Sequence, residues 1–220
     1  VFINLSTLGN SMVVDMVTEV DVYRWIMDAL KDVDVKVLPK DVISVTEASS
    51  PCLRKAYFDR VKAPMPSPID FVKLVGEEAH SRILEVLRKR GYNVESSFSL
   101  KIRDMTLVGR VDAVKEEGGN KHIVEFKVVD EVPVKPYESH EMQVQLYMLA
   151  TRIPVAYIVY ISRRDGRVRV YRVRYDKKMA REAVKRAYRL FLALRDNKPP
   201  PPERSPICNY CPYALSCSTR

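Results

Sequence analysis

Two groups of residues in this 220-residue sequence combine side-chain types and spacings suited to chemistry. The first surrounds Gly118-Gly119, which separates MTLVGRVDAV from KHIVEFKVV, two segments rich in β-branched residues and patterned as a β-hairpin. With both glycines at the centre of the turn, Glu117 pairs with Asn120 and Asp112 stands opposite Glu125, where opposed Cβ atoms lie about 5 Å apart. Two bare carboxylates at that separation repel, and a divalent cation between them removes the cost. Glu125 and Lys127 are two apart and share a strand face, while Val124, Phe126 and Val128 take the other. Oxygen ligands suit Mg²⁺ or Mn²⁺, and an adjacent ammonium can orient or deprotonate a water or steady charge developing on a phosphate. The set fits phosphodiester hydrolysis. An exposed hairpin with an ordinary Glu-x-Lys pair reads the same locally, so the surrounding residues matter. Gly76 and His80 lie four apart on one helix face, where glycine allows close backbone approach and the imidazole can reach a metal. Both glutamines of the chain, Gln143 and Gln145, follow the hairpin in one helix. Gln143 shares a face with Tyr147, where amide and phenol can hold a phosphate, a water or the lysine, although a helix packing Tyr147 into the core has the same pattern.

The second group is the four cysteines. Cys208, Cys211 and Cys217 form Cys-x2-Cys-x5-Cys, and Cys52 stands far upstream. Residues 1–11 do not read as a secretory signal, so paired disulfides are not expected and the close spacing points to a metal centre. Zinc on four thiolates is one reading. The three-plus-one split and the Cys211-Pro212 step lean towards iron–sulfur ligation. Either centre ties the end of the chain to Cys52.

The elements that must position these residues follow from periodicity. Helical spacing predicts helices over 21–31, 71–90 with Gly91 as its stop, 139–151 and 177–195. Residues 44–60 read as a cap, a turn and a short helix bearing Cys52. Strands are predicted at 92–103 and 105–115, and a second hairpin joins VAYIVYIS to RVRVYRVRY through Arg164-Asp165-Gly166. APMPSP at 63–68 reads as a loop, and Lys198 to Glu203 as a stiff polyproline spacer. Lys178, Arg181, Lys185 and Arg189 form a basic stripe that reads as a solvated helix face.

Composition sets the class. With 46% hydrophobic and 30% charged residues the chain is globular, and no stretch has the roughly 18 apolar residues of a membrane helix. The net charge of +9 favours a polyanionic partner. Residues 1–11 read as an appended remnant, with Met12 or Met16 as the expected native start. The chain is expected in the cytoplasm.

In order, His80, Asp112, Glu125-Phe126-Lys127 and Gln143-x3-Tyr147 resemble the motifs of RecB-like PD-(D/E)xK nucleases. With one upstream cysteine and three at the C-terminus, the pattern resembles the CRISPR-associated exonucleases of the fourth Cas family, and AddB-type helicase-nucleases share the layout. The first motif here is Val111-Asp112 rather than Pro-Asp, which leaves the ligand intact. The resemblance implies an α/β restriction-endonuclease-like core, a mixed sheet flanked by helices, with a small helical iron–sulfur domain built from both chain ends. Expected parts are 12–70 bearing Cys52, a nuclease core over 71–198, and a proline linker and cysteine tail over 199–220. It further implies metal ligation by His80, Asp112, Glu125 and the Phe126 carbonyl, catalysis by Lys127 with Asp112 and Glu125, and support from Gln143 and Tyr147. Cys52, Cys208, Cys211 and Cys217 would hold a 4Fe-4S or 2Fe-2S cluster. The implied activity is Mg²⁺- or Mn²⁺-dependent exonuclease action, 5′-to-3′ on single-stranded or tailed DNA. The implied setting is CRISPR spacer acquisition, with Cas integrase proteins as partners. A RecB/AddB-like repair nuclease, a non-catalytic DNA-binding adaptor and a zinc-bearing structural module are the competing readings.

Overall fold

The structure is a computed structural model that describes residues 20, 24–25, 38–62 and 68–217, with the backbone alone for 68–73. The chain forms two compact units, Val1–Asp34 and Val35–Arg220. Of the first, residues 20, 24 and 25 are described and helical. The rest of the helix expected over 21–31, the leader over 1–11 and residues 63–67 of the expected loop lie outside the described residues.

The second unit is built on a mixed six-stranded sheet with β3 (Met105–Glu117) as its hub. One edge of β3 pairs antiparallel with β2 (Asn93–Ile102). The other pairs parallel with β1 (Val42–Ser44) as far as Val108, and antiparallel with β4 (Asn120–Val129) from Ala113 onward. Between these two partners, along that edge alone, residues 109–112 pair with no described strand, so the sheet forks there. β4 runs on beside parallel β5 (Val155–Ser162), and antiparallel β6 (Val168–Arg174) forms the edge. The hairpin takes the register its turn residues predict, with Glu117 opposite Asn120 and both turn glycines in the left-handed region, at φ +58° and +77°. β1 escapes the sequence reading because three residues carry too little alternation to be seen. Its last residue, Ser44, also caps the short helix α1 (Val45–Ala48) in a reciprocal pair with Glu47.

Helix α2 (Leu53–Val61) starts just after Cys52, which sits at its N-cap rather than inside it. α3 (Pro68–Lys89) ends at Gly91, whose φ of +80° makes the left-handed stop. α4 (Glu138–Thr151) and α5 (Lys177–Arg195) pack on each other, and α5 also meets α1 and α2. α5 is capped by Asp176, which accepts from Lys178 and Met179 amides. Its buried face carries Ala180, Ala183, Ala187, Leu190, Phe191 and Leu194, each large side chain contributing about 1.5–3 kcal/mol by leaving water. The basic stripe on its other side is exposed, with Lys185 and Arg189 paired to Glu182. Gln145, unlike Gln143, is structural: its amide donates to the Arg174 carbonyl and accepts from the Asp176 amide.

Two glycine readings change. A Cβ at Gly76 would meet only Val128, at 3.9 Å, so close approach is not what that position needs. The demanding glycine is Gly109 in β3. A Cβ there would lie 2.6 Å from the Phe98 ring and 3.0 Å from Val45. The proline run is also no free spacer. The Pro200 carbonyl accepts from Arg54 at 2.7 Å, and the Glu203 carboxylate accepts from the Leu53 amide and from both terminal nitrogens of Arg186.

Candidate active site

The fork holds the carboxylates. The backbone ladder between β3 and β4 ends at Ala113 opposite Val124, and the next pair is Asp112 and Glu125. There the Asp112 side chain takes over from the backbone, its Oδ2 accepting the Phe126 N–H at 2.8 Å. His80 of α3 reaches the same oxygen through Nε2 at 2.9 Å. That hydrogen bond raises the imidazole pKa above its ordinary value, against the opposing effect of burial. Glu125 and Lys127 lie level with Ile158 and Tyr160 of β5, on the face where α4 supplies Gln143 and Tyr147. Phe126 turns the other way, its ring 6.4 Å from that of His80.

Lys127 Nζ donates to Glu125 Oε1 and to Gln143 Oε1, both at 2.8 Å. The Gln143 amide nitrogen donates to the Tyr147 hydroxyl at 2.9 Å, which turns its carbonyl oxygen towards the lysine. Tyr147 is buried with its ring edge-on to Phe98 at 5.9 Å, and burial raises its hydroxyl pKa well above the ordinary value. A packing chain therefore runs from Gly109 through Phe98 and Tyr147 to Gln143 and Lys127. Glu125 is only 2% exposed, and its Oε2 is buried without a partner. Burial pushes its carboxyl up to about 7; Asp112 adds to the push and Lys127 opposes it. An orphaned carboxylate oxygen beside a second acid fits a cation, which would supply its missing partner. Among the described residues, no three His, Cys, Asp or Glu side chains stand close enough together to hold a metal as they are.

A sequence profile of the PD-(D/E)XK nuclease superfamily matches residues 28–218. The chain belongs to that superfamily. Among solved structures, that of SSO0001 superposes with a TM-score of 0.65 at 19% identity, covering 90% of this chain and 96% of the other, which establishes a shared fold. An alkaline exonuclease from Laribacter hongkongensis gives 0.46 at 14% identity, covering 71% and 89%. A putative exonuclease from Eubacterium rectale gives 0.48 at 11%, covering 89% and 92%. No curated protein matches the chain. PD-(D/E)XK nucleases generally use Mg²⁺ or Mn²⁺.

In this PD-(D/E)XK protein a groove of about 1190 Å³ lies beside the fork, reached by His80 and Lys127. It is lined by His80, Phe126 and Lys127, by Tyr137, His140 and Arg163, and by Arg204 to Ile207 and Tyr210. The sequence reading had not singled out His140, a lone histidine whose setting only the groove reveals. The four cysteines lie elsewhere, all lining one cavity of about 220 Å³ together with Arg54, Lys55, Phe58, Ile207, Tyr213 and Leu215. Cys52 is buried, Cys208 is exposed, and Cys211 and Cys217 are half-buried. Contacts between the tail and α2 close this cavity: Tyr213 stacks on Phe58 at 5.3 Å, and Lys62 sits 4.3 Å over Phe58 while donating to Ser216.

Proposed function

We propose that this protein is a DNA exonuclease acting on single strands, with Mg²⁺ or Mn²⁺ at the fork and an iron–sulfur cluster on Cys52, Cys208, Cys211 and Cys217. The observation that carries the first part is the connected set Glu125, Lys127, Gln143 and Tyr147 beside Asp112 and His80, of which Lys127 and His80 line the groove. His80, Asp112, Glu125 and the Phe126 carbonyl would hold the ion. Bound there, it would supply positive charge to the phosphate oxygens and make a water a better nucleophile. Two of the three Lys127 N–H groups are committed to Glu125 and Gln143, which aims the ammonium and leaves one donor for the charge that develops on the phosphate. Lys127, which can only donate, keeps the Gln143 amide from turning over, and Tyr147 takes up its nitrogen end. Exposed Tyr137 and Tyr210 along the groove suit unpaired bases, which stack on aromatic rings, better than a duplex whose bases are already stacked.

The cluster reading is supported by the meeting of all four cysteines along one cavity, which brings Cys52 to the three C-terminal cysteines. Arg54 in the wall would offset thiolate charge. The module would combine 38–62 with the tail over 199–217. The ordered site residues together with the four cysteines support a role in CRISPR spacer acquisition beside the Cas integrase proteins. The test is degradation of an end-labelled single strand in Mn²⁺. We expect cleavage that EDTA abolishes and that Lys127→Ala reduces at least about a hundredfold with strand binding intact. Undiminished cleavage by Lys127→Ala would overturn the assignment of the site.

A further inference from the structure

His140 lies in the first turn of α4, three residues before Gln143, and lines the groove that Lys127 also lines. Its Nδ1 is 2.8 Å from the Tyr160 hydroxyl. The same hydroxyl accepts the Tyr137 N–H at 3.1 Å. Tyr160 is fully buried, and among the described residues its proton has no acceptor other than His140. The O–H therefore points at Nδ1, which accepts, and the imidazole proton sits on Nε2. Burial keeps the ring neutral, lowering its pKa to about 3 with the Lys127 charge adding to the effect, and burial likewise holds the Tyr160 proton by pushing its hydroxyl up to about 12. The ring is fixed from two sides, tilted on Tyr160 at 5.6 Å and edge-on to Tyr137 at 5.4 Å. Its Nε2 has no hydrogen-bond partner among the described residues, and the residue lines the groove.

We propose that the Nε2–H of His140 is a substrate-binding donor, held in one tautomer by Tyr160, that hydrogen-bonds a non-bridging phosphate oxygen of the strand lying in the groove beside Lys127. The inference rests on reading the fork as a nuclease site and adds a contact outside the carboxylate, lysine and glutamine set. A neutral imidazole suits this place because a second cation beside Lys127 would cost more than a dipolar N–H. A hydrogen bond to a charged phosphate oxygen corresponds to roughly ten- to a hundredfold in affinity.

Two substitutions separate binding from packing. His140→Asn puts an amide where Nδ1 was, keeping a partner for Tyr160 and losing the groove donor. His140→Gln puts an amide nitrogen where Nε2 was, keeping the groove donor. Two readouts apply: Kd for a fluorescent oligothymidylate strand in EDTA, and KM with kcat for its cleavage in Mn²⁺. We expect His140→Asn to raise Kd and KM about tenfold or more with kcat within about twofold, and His140→Gln to stay within about threefold of wild type. The reverse order, or an equal rise in both variants, would show that the ring only anchors Tyr160 and overturn the proposal. A wild-type protein that binds the strand without cleaving it would overturn the nuclease reading while the Kd series still decides His140; one that does not bind the strand overturns both.

Discussion

The fork and the cysteine cavity are built by opposite means. At the fork, strand pairing alone sets Asp112 beside Glu125, and α4 adds Gln143 and Tyr147 one helical turn apart. The backbone fixes that geometry, and its cost is visible in Glu125, which is 2% exposed with one carboxylate oxygen on Lys127 and the other buried without a partner. The cysteine cavity has almost no regular structure on its tail side, only two 3₁₀ turns at Pro206–Tyr210 and Ala214–Ser216. It is held shut by side chains: Glu203 bridging Arg186 and the start of α2, and Tyr213 against Phe58. Arg186 also donates to the Ala48 and Ser50 carbonyls, so one arginine joins α5, the α1–α2 turn and the tail. A site made by strand register tolerates an empty state, whereas one made by docked turns depends on what occupies it.

The largest test of this contrast is a double dissociation. Asp112→Ala or Glu125→Ala should lower cleavage at least about a hundredfold and leave absorbance near about 400 nm and iron content unchanged. Cys52→Ala should lose that absorbance and the iron, lower the melting temperature, and keep partial cleavage. Iron content and melting temperature both unchanged in Cys52→Ala would show that the two regions do not differ as described. Next in size, Arg186→Met removes the clamp on Glu203. With side-chain exposures of 12% and 29% the pair is not fully dry, so we expect a loss of roughly 2–3 kcal/mol, below that of a wholly buried pair. Denaturant unfolding gives the loss, and limited proteolysis should find the chain after 198 newly accessible. A stable variant with a protected tail would place the docking energy elsewhere. The smallest effect concerns the built-in cost at the fork. Glu125 has a raised folded pKa, so its burial penalty is absent below about 4.5, grows as pH rises to about 7 and is complete above that. In EDTA, Glu125→Gln should therefore melt higher than wild type by roughly 2–4 °C near about pH 8, the gap closing towards about pH 4.5. A lower melting temperature at the alkaline end would mean that the Lys127 ion pair outweighs the desolvation.

Much of the fork was legible in the sequence because its signals are local. Gly118-Gly119 dictates a turn with two positive φ angles, the turn fixes the register, and the register puts Asp112 opposite Glu125 whatever surrounds the hairpin. Gln143 and Tyr147 share a helix face by spacing alone, and the structure decides between the uses that spacing allows: the amide holds Lys127. Gly109 and His140 were not legible. A strand glycine reveals nothing until the Phe98 ring is seen over it, and a helical histidine reveals nothing until Tyr160, twenty residues on, is found against its Nδ1. By itself the sequence determined the hairpin, its register, the helix faces and the spacing of the three C-terminal cysteines, since each depends on neighbours a few residues apart. Only the tertiary structure decided that β3 releases β1 at Val108 and takes up β4 at Ala113, that the proline run lies docked through Glu203, and that Cys52 lines the same cavity as Cys208, Cys211 and Cys217. Those are meetings of segments up to about 150 residues apart, fixed by packing and by buried hydrogen bonds that no local pattern encodes.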